Sequence, residues 1–227
     1  MRILFQGDSI TDAFRKPEEI NPGFQLGNGY AFLVGARLAA SHPERKYEFH
    51  NRGVSGEGAQ ELAARWQADA LDLRPDVLSL LVGVNLIIRR QKGIPECSDA
   101  EFFDSYRSLL DPLLAQNPRI KLILLEPYLL EAGPVTTGWK EGLLPIQAGI
   151  AQIAQAYGAT HISLQRIFDE ALSLAPAAYW AYDGVHATHA GFQLIADAWL
   201  RAAAPVLEGC VKRPTPASTP CKPGDDT

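Results

Sequence analysis

The chain has 227 residues, 47% hydrophobic and 21% charged, which suits one sizeable core and one domain, with or without a tail. The formal net charge of -5 argues against nucleic acid or an anionic membrane surface as partner. Three cysteines (Cys97, Cys210 and Cys221) without CxxC spacing fit neither a disulfide framework nor a zinc site, and no run of 18 apolar residues is present to span a membrane.

In chain order, RILFQ at 2–6 reads as a strand. A helix is predicted over 28–40, with Ala31, Phe32, Val34, Leu38 and Ala39 near helical spacing. KYEFHN at 46–51 is a second strand, and 58–71 a second helix. Residues 77–82 are continuously apolar, as expected of a central parallel strand covered on both faces. Asp99 is expected to cap a helix running to about Gln116, and 120–125 is a further buried strand. A helix over 143–157 should stop at Gly158. THISL at 160–164 is the last strand, followed by a helix over 165–174 and a final one capped by Thr188 and ending near Ala203.

Strands separated by helices of this length imply right-handed crossovers, hence a parallel sheet with helices on both faces. Ligands of such sheets bind at the carboxyl ends of the strands. Function is therefore expected in the loops at 7–11, 52–58, 83–98, 126–140 and 179–189. The folded domain is predicted over residues 1–208. Residues 209–227, with four prolines among small polar residues, read as a flexible C-terminal tail. The start of the chain reads as a strand rather than a leader peptide, and the cysteines as reduced thiols, so a cytoplasmic location is expected.

GDSIT at 7–11 follows the first strand. Ser9 there is a helix cap or a nucleophile. A phosphate loop fits less well, because GxxxxGK[ST] is missing. Other strand ends carry matching chemistry. In RGVSG at 52–56, Gly53 can bring a backbone N–H close to a ligand, or it only makes the turn. In GVN at 83–85, Asn85 is an amide donor for an oxyanion, or a tie for its own loop. In DGVH at 183–186, Asp183 and His186 are three residues apart, within reach of one turn. A serine hydroxyl needs a base near pKa 7, a carboxylate to orient that base, and preorganised donors for the tetrahedral oxyanion. The order Ser, Asp, His is compatible with such a triad. No histidine or carboxylate cluster suggests a metal, and this chemistry needs neither metal nor cofactor.

These four blocks, in this order across residues 7–186, resemble the SGNH, or GDSL-type, hydrolases. The resemblance implies a three-layer α/β/α flavodoxin-like fold with a five-stranded parallel sheet in the order 2-1-3-4-5. It implies Ser9 as nucleophile, His186 as its base and Asp183 as the orienting acid. The oxyanion hole would comprise the Ser9 N–H, the Gly53 N–H and the Asn85 side chain. GDSITDAFR, LGNGYAFLV, ARWQADALDLRPDVLSLLVGVN and YWAYDGVHATHAGFQLIADAWL look closer to the intracellular esterases that deacetylate xylo-oligosaccharides. A small-molecule or oligosaccharide ester is thus the expected substrate, with Asp8, Trp180 and Leu86 as its contacts, and a homo-oligomer is the expected assembly. Leu86 stands where the family commonly carries Asp after the Asn. Two rivals remain at this point. One is a lysophospholipase or thioesterase with an acyl groove along Leu86, Ile87 and Ile88. The other is a non-catalytic carbohydrate-binding homologue.

Overall fold

The computed structural model describes residues 1–208; the expected tail, with Cys210 and Cys221, lies outside the described residues. Five strands form one sheet: β1 (Arg2–Gly7), β2 (Glu48–Asn51), β3 (Val77–Leu81), β4 (Lys121–Leu125) and β5 (Thr160–Ile162). All pairings are parallel, in the order β2-β1-β3-β4-β5, as expected. The register sets Phe5 beside Asn51 and Ser79, and Gly7 beside Leu81, so β1 and β3 end side by side. Every residue of β3 is buried, which explains its unbroken apolar run. Its one polar residue, Ser79, accepts a hydrogen bond from Trp199 Nε1 at 3.0 Å.

Helices cover both faces. On one, α3 (Tyr30–Ser41) packs against α10 (His189–Glu208), which also meets α8 (Leu164–Ala171). On the other, α4 (Ala59–Trp66), α6 (Asp99–Gln116) and α7 (Thr137–Ala156) pack in succession. The core is continuous through the sheet, from Leu4 and Phe5 to Tyr106, Ile146 and Trp199. After β1 the chain runs to β2 at one edge, then crosses back to β3 on the other side of β1. This reversal opens a crevice at the carboxyl ends of β1 and β3, where ligands of open α/β sheets bind. No helix among the described residues is long and apolar enough to cross a membrane.

Several boundaries move. Ser98, not Asp99, caps α6: its Oγ accepts the Glu101 N–H at 3.3 Å while the Glu101 carboxylate accepts the Ser98 N–H at 2.8 Å. The segment after Trp66 continues as a π turn over Gln67–Leu71 rather than as regular helix. α7 starts at Thr137, earlier than expected, and so takes in Trp139. α10 runs on to Glu208, because Leu207 is still buried against the core. The largest difference lies in 83–98, expected as a loop: it holds α5 (Val84–Gln91). Leu86 and Ile87 bury one side of this helix, and Arg89 and Arg90 sit in its last turn, where cations favour the helix dipole.

Candidate active site

β1 turns directly into α1 (Ser9–Asp12). Asp8 caps that turn: its Oδ1 accepts the Ile10 N–H at 3.0 Å, and its carbonyl accepts from Thr11 and Asp12 at 3.1 and 2.8 Å. Behind the turn, Thr11 Oγ1 lies 3.0 Å from the buried Tyr30 hydroxyl. Ser9 is thereby fixed as the first helical residue, at the mouth of the crevice. Its own N–H has no intrahelical acceptor.

The second half of the site comes from the far end of the chain. Between α9 (Ala177–Trp180) and α10, one carboxylate organises a tight turn. Asp183 Oδ1 accepts the His186 N–H at 2.7 Å and the Val185 N–H at 3.0 Å, while Oδ2 lies 2.7 Å from His186 Nδ1. Burial pushes the Asp183 carboxyl up. The hydrogen bonds from the His186 N–H, the imidazole and the Val185 N–H outweigh it, and the group sits below the usual carboxylate range. With Nδ1 donating to this carboxylate, Nε2 is left to accept the Ser9 hydroxyl hydrogen, and the two atoms are 2.9 Å apart. Ser9, His186 and Asp183 thus form one hydrogen-bonded line, joining residues at opposite ends of the chain.

The donors around this line are less uniform. Asn85, in the first turn of α5, is buried, and its Nδ2 donates to Glu57 O at 2.9 Å, which leaves its second hydrogen free. Gly53 stands differently from expectation. Its N–H donates to Asn51 Oδ1 at 2.9 Å, and its carbonyl accepts from Arg15 Nε at 2.7 Å. A Cβ on Gly53 would fall 2.5 Å from Asp12 N, so the glycine is required by close packing against the end of α1. Its amide is therefore committed within its own turn. The other glycine of the same block, Gly56, is exposed at φ +86°, and its N–H has no acceptor among the described residues.

The three expected substrate contacts are all buried. Asp8 is 1% exposed, Leu86 4% and Trp180 8%. Asp8 serves as the α1 cap. Burial pushes its carboxyl up to about 7, against the Ile10 N–H and the nearby His186, which pull it down. Leu86 packs into the core, so the Asp commonly found there is replaced by an inward-facing hydrophobe. Trp180 donates from Nε1 to Ala175 O at 3.1 Å and belongs to the core. The exposed aromatic at the site is Tyr182, 61% exposed, its ring 6.0 Å from the His186 ring and 19° from parallel. Only its position beside Asp183 could have marked it in the sequence. Among the described residues, no three His, Cys, Asp or Glu side chains cluster closely enough to hold a metal ion.

Known proteins resemble this chain over most of its length. The model of the GDSL-like lipase/acylhydrolase family matches residues 5–194. An acetylxylan esterase from Geobacillus stearothermophilus is 32% identical over 204 residues, 88% of this chain and 92% of that protein. The crystal structure of a GDSL-like lipase candidate from Parabacteroides merdae superimposes with a TM-score of 0.85 at 31% identity, covering 89% of this chain and 95% of that one. That of Axe2, an acetylxylan esterase from Geobacillus stearothermophilus, gives 0.77 at 30% identity, over 88% and 93%. A match of this extent, on a sheet of this order, makes the chain a member of the GDSL-like lipase/acylhydrolase family and an ester-hydrolysing enzyme.

Proposed function

We propose that the chain is a serine esterase that removes small acyl groups, above all O-acetyl groups from sugars or xylo-oligosaccharides, through an acyl-enzyme. The observation that carries the reading is the line from Ser9 Oγ to His186 Nε2 at 2.9 Å and from His186 Nδ1 to Asp183 Oδ2 at 2.7 Å. Ser9 Oγ attacks the ester carbonyl as His186 Nε2 takes its proton. Asp183 stabilises the imidazolium and holds its tautomer. The tetrahedral oxyanion is met by the Ser9 N–H, the free Asn85 amide hydrogen and the Gly56 N–H, with Gly56 taking the role expected of Gly53. The imidazolium then protonates the departing sugar hydroxyl, leaving acetyl on Ser9. His186 next takes a proton from water, which attacks the acyl carbonyl and releases acetate and free Ser9.

A small acyl group is favoured because Leu86 and Ile87, two of the three residues expected to line a long-chain groove, are buried in the core, and the third, Ile88, is partly buried against it. The likeness to acetylxylan esterases points the same way. Ser9→Ala and His186→Ala should each lower kcat by about 10^4-fold or more. A near wild-type rate in either abandons the triad. Acetylated xylo-oligosaccharides, phenyl acetate and p-nitrophenyl esters of rising chain length should rank with acetyl substrates first. A preference for octanoate or longer would give the site to a lipid-type hydrolase instead.

A further inference from the structure

Gly56 is exposed, adopts φ +86° and has nothing within 4 Å of where a Cβ would stand. Packing therefore does not hold its peptide planes, and glycine is the residue that moves most freely between backbone regions. Side chains from outside the loop hold it instead. Arg89 Nη2 donates to Gly56 O at 2.6 Å, and Asn85 Nδ2 donates to Glu57 O at 2.9 Å. The Glu61 carboxylate accepts the Gly58 N–H at 2.8 Å. Three consecutive residues are thus gripped in sequence. Arg89 joins the grips: its Nη1 lies 2.9 Å from both Glu61 Oε1 and Glu96 Oε2. Arg89 and Asn85 are four residues apart on α5, so they lie on one face of it.

We propose that Arg89 is a positioning residue of the esterase: by fixing the Gly56 carbonyl against Glu61 and Glu96, it holds the 56–58 turn so that the Gly56 N–H aims at the oxyanion. The inference rests on the proposed serine-esterase reading. Arg89 touches no reacting atom. Its effect is preorganisation, which matters because oxyanion donors act only when aimed before charge develops. Lysine cannot replace it fully, since one ammonium does not reproduce a planar fork that reaches two carboxylates and a carbonyl together.

The test is steady-state hydrolysis of p-nitrophenyl acetate, with inhibition by phenylboronic acid, which forms a tetrahedral adduct on an active-site serine. Arg89→Ala should lower kcat on the order of tenfold with KM changed less than about twofold, and weaken boronate inhibition by a similar factor. Arg89→Lys should fall between it and wild type. Arg90→Ala is the control, because Arg90 pairs with Asp99 and the Cys97 carbonyl and does not touch the loop; it should keep the wild-type kcat. Wild-type kcat in folded Arg89→Ala, an equal loss in Arg90→Ala, or a fall in kcat without weaker boronate inhibition overturns the proposal. If Arg89→Ala does not fold, Arg89→Lys decides: wild-type kcat and inhibition in it overturn the proposal too. Ser9→Ala separates the two readings. If it is inactive while Arg89→Ala is unimpaired, only the positioning role falls; if Ser9→Ala is active, the esterase reading falls first.

Discussion

The turn at Asp183–His186 and the loop from Arg52 to Gly58 serve the same crevice, yet they are held in opposite ways. The turn is held mainly from within; one remote group, the Leu130 N–H, donates to its Gly184 carbonyl at 2.9 Å. One carboxylate accepts two backbone N–H groups and the imidazole, all within three residues. The loop is held from outside. Its carbonyls at Arg52, Gly53, Gly56 and Glu57 accept hydrogen bonds from Arg65 on α4, Arg15 in the loop after α1, and Arg89 and Asn85 on α5. A turn held mainly from within survives loss of distant contacts, and its geometry follows from a four-residue spacing. A loop clamped by remote side chains has no such local rule, and its accuracy depends on α4 and α5 being in place.

Substitutions can break this contrast in order of effect. The largest is expected at the turn. In Asp183→Asn, the amide oxygen can still accept the Val185 and His186 N–H groups, but the amide nitrogen presents donors to Nδ1 and forces the wrong tautomer. kcat on p-nitrophenyl acetate should drop about 10^4-fold while the thermal midpoint stays close to wild type. Loss of folded signal together with activity would show that the carboxylate charge, not only its two acceptor sites, builds the turn.

At the loop, Asn85→Ala removes both an oxyanion donor and the grip on Glu57 O. A fall of about 10^2- to 10^3-fold in kcat is expected, smaller than at Asp183 because the Ser9 and Gly56 amides remain. A loss below fivefold would take Asn85 out of the oxyanion hole.

The smallest effect is on stability, at the cap that joins β1 to Ser9. Asp8 is fully buried, and its Oδ2 has no hydrogen-bond partner among the described residues. Burial raises the carboxyl from 3.8 to about 7, so the folded state binds a proton that the unfolded chain has released across that range. The contribution of this group is therefore fully present below pH 3.8 and is lost as pH rises through about 7. Asp8→Asn keeps an acceptor for the Ile10 N–H and carries no charge. Its stability relative to wild type should rise between about pH 4 and pH 7 and level off above, with a total gain of up to about 4 kcal/mol. Urea midpoints at pH 5 and pH 8 measure this; equal wild-type-to-variant differences at the two values would rule it out.

How much of this was legible differs along the chain. Strand content and the parallel sheet followed from apolar runs such as 77–82 and from the alternation of strands and helices, because a doubly covered parallel strand must be apolar throughout, whereas the strand order came from the family resemblance. The Asp183 and His186 pair was legible because its geometry is local. α5 was not. Gly83 offers no side-chain cap, and the apolar residues Val84, Leu86, Ile87 and Ile88 are too short a run to tell helix from strand or loop, although Arg89, Arg90 and Gln91 complete a polar face. Asp8, Leu86 and Trp180 lie one, one and three residues from Ser9, Asn85 and Asp183 in sequence. All three nevertheless point into protein, since a chain emerging from a buried strand or short helix alternates between core and crevice.

By itself the sequence determined the α/β class and the parallel sheet, and it marked Ser9, Asp183 and His186 as candidates for one site. Periodicity and short spacings record what a residue does with its near neighbours. Only the tertiary structure decided that the Gly53 amide is spent on Asn51 while that of Gly56 meets no acceptor among the described residues, and that Arg89 reaches a loop more than thirty residues away. Those outcomes depend on which donors and acceptors meet once the helices have packed, and a linear pattern holds no record of such meetings.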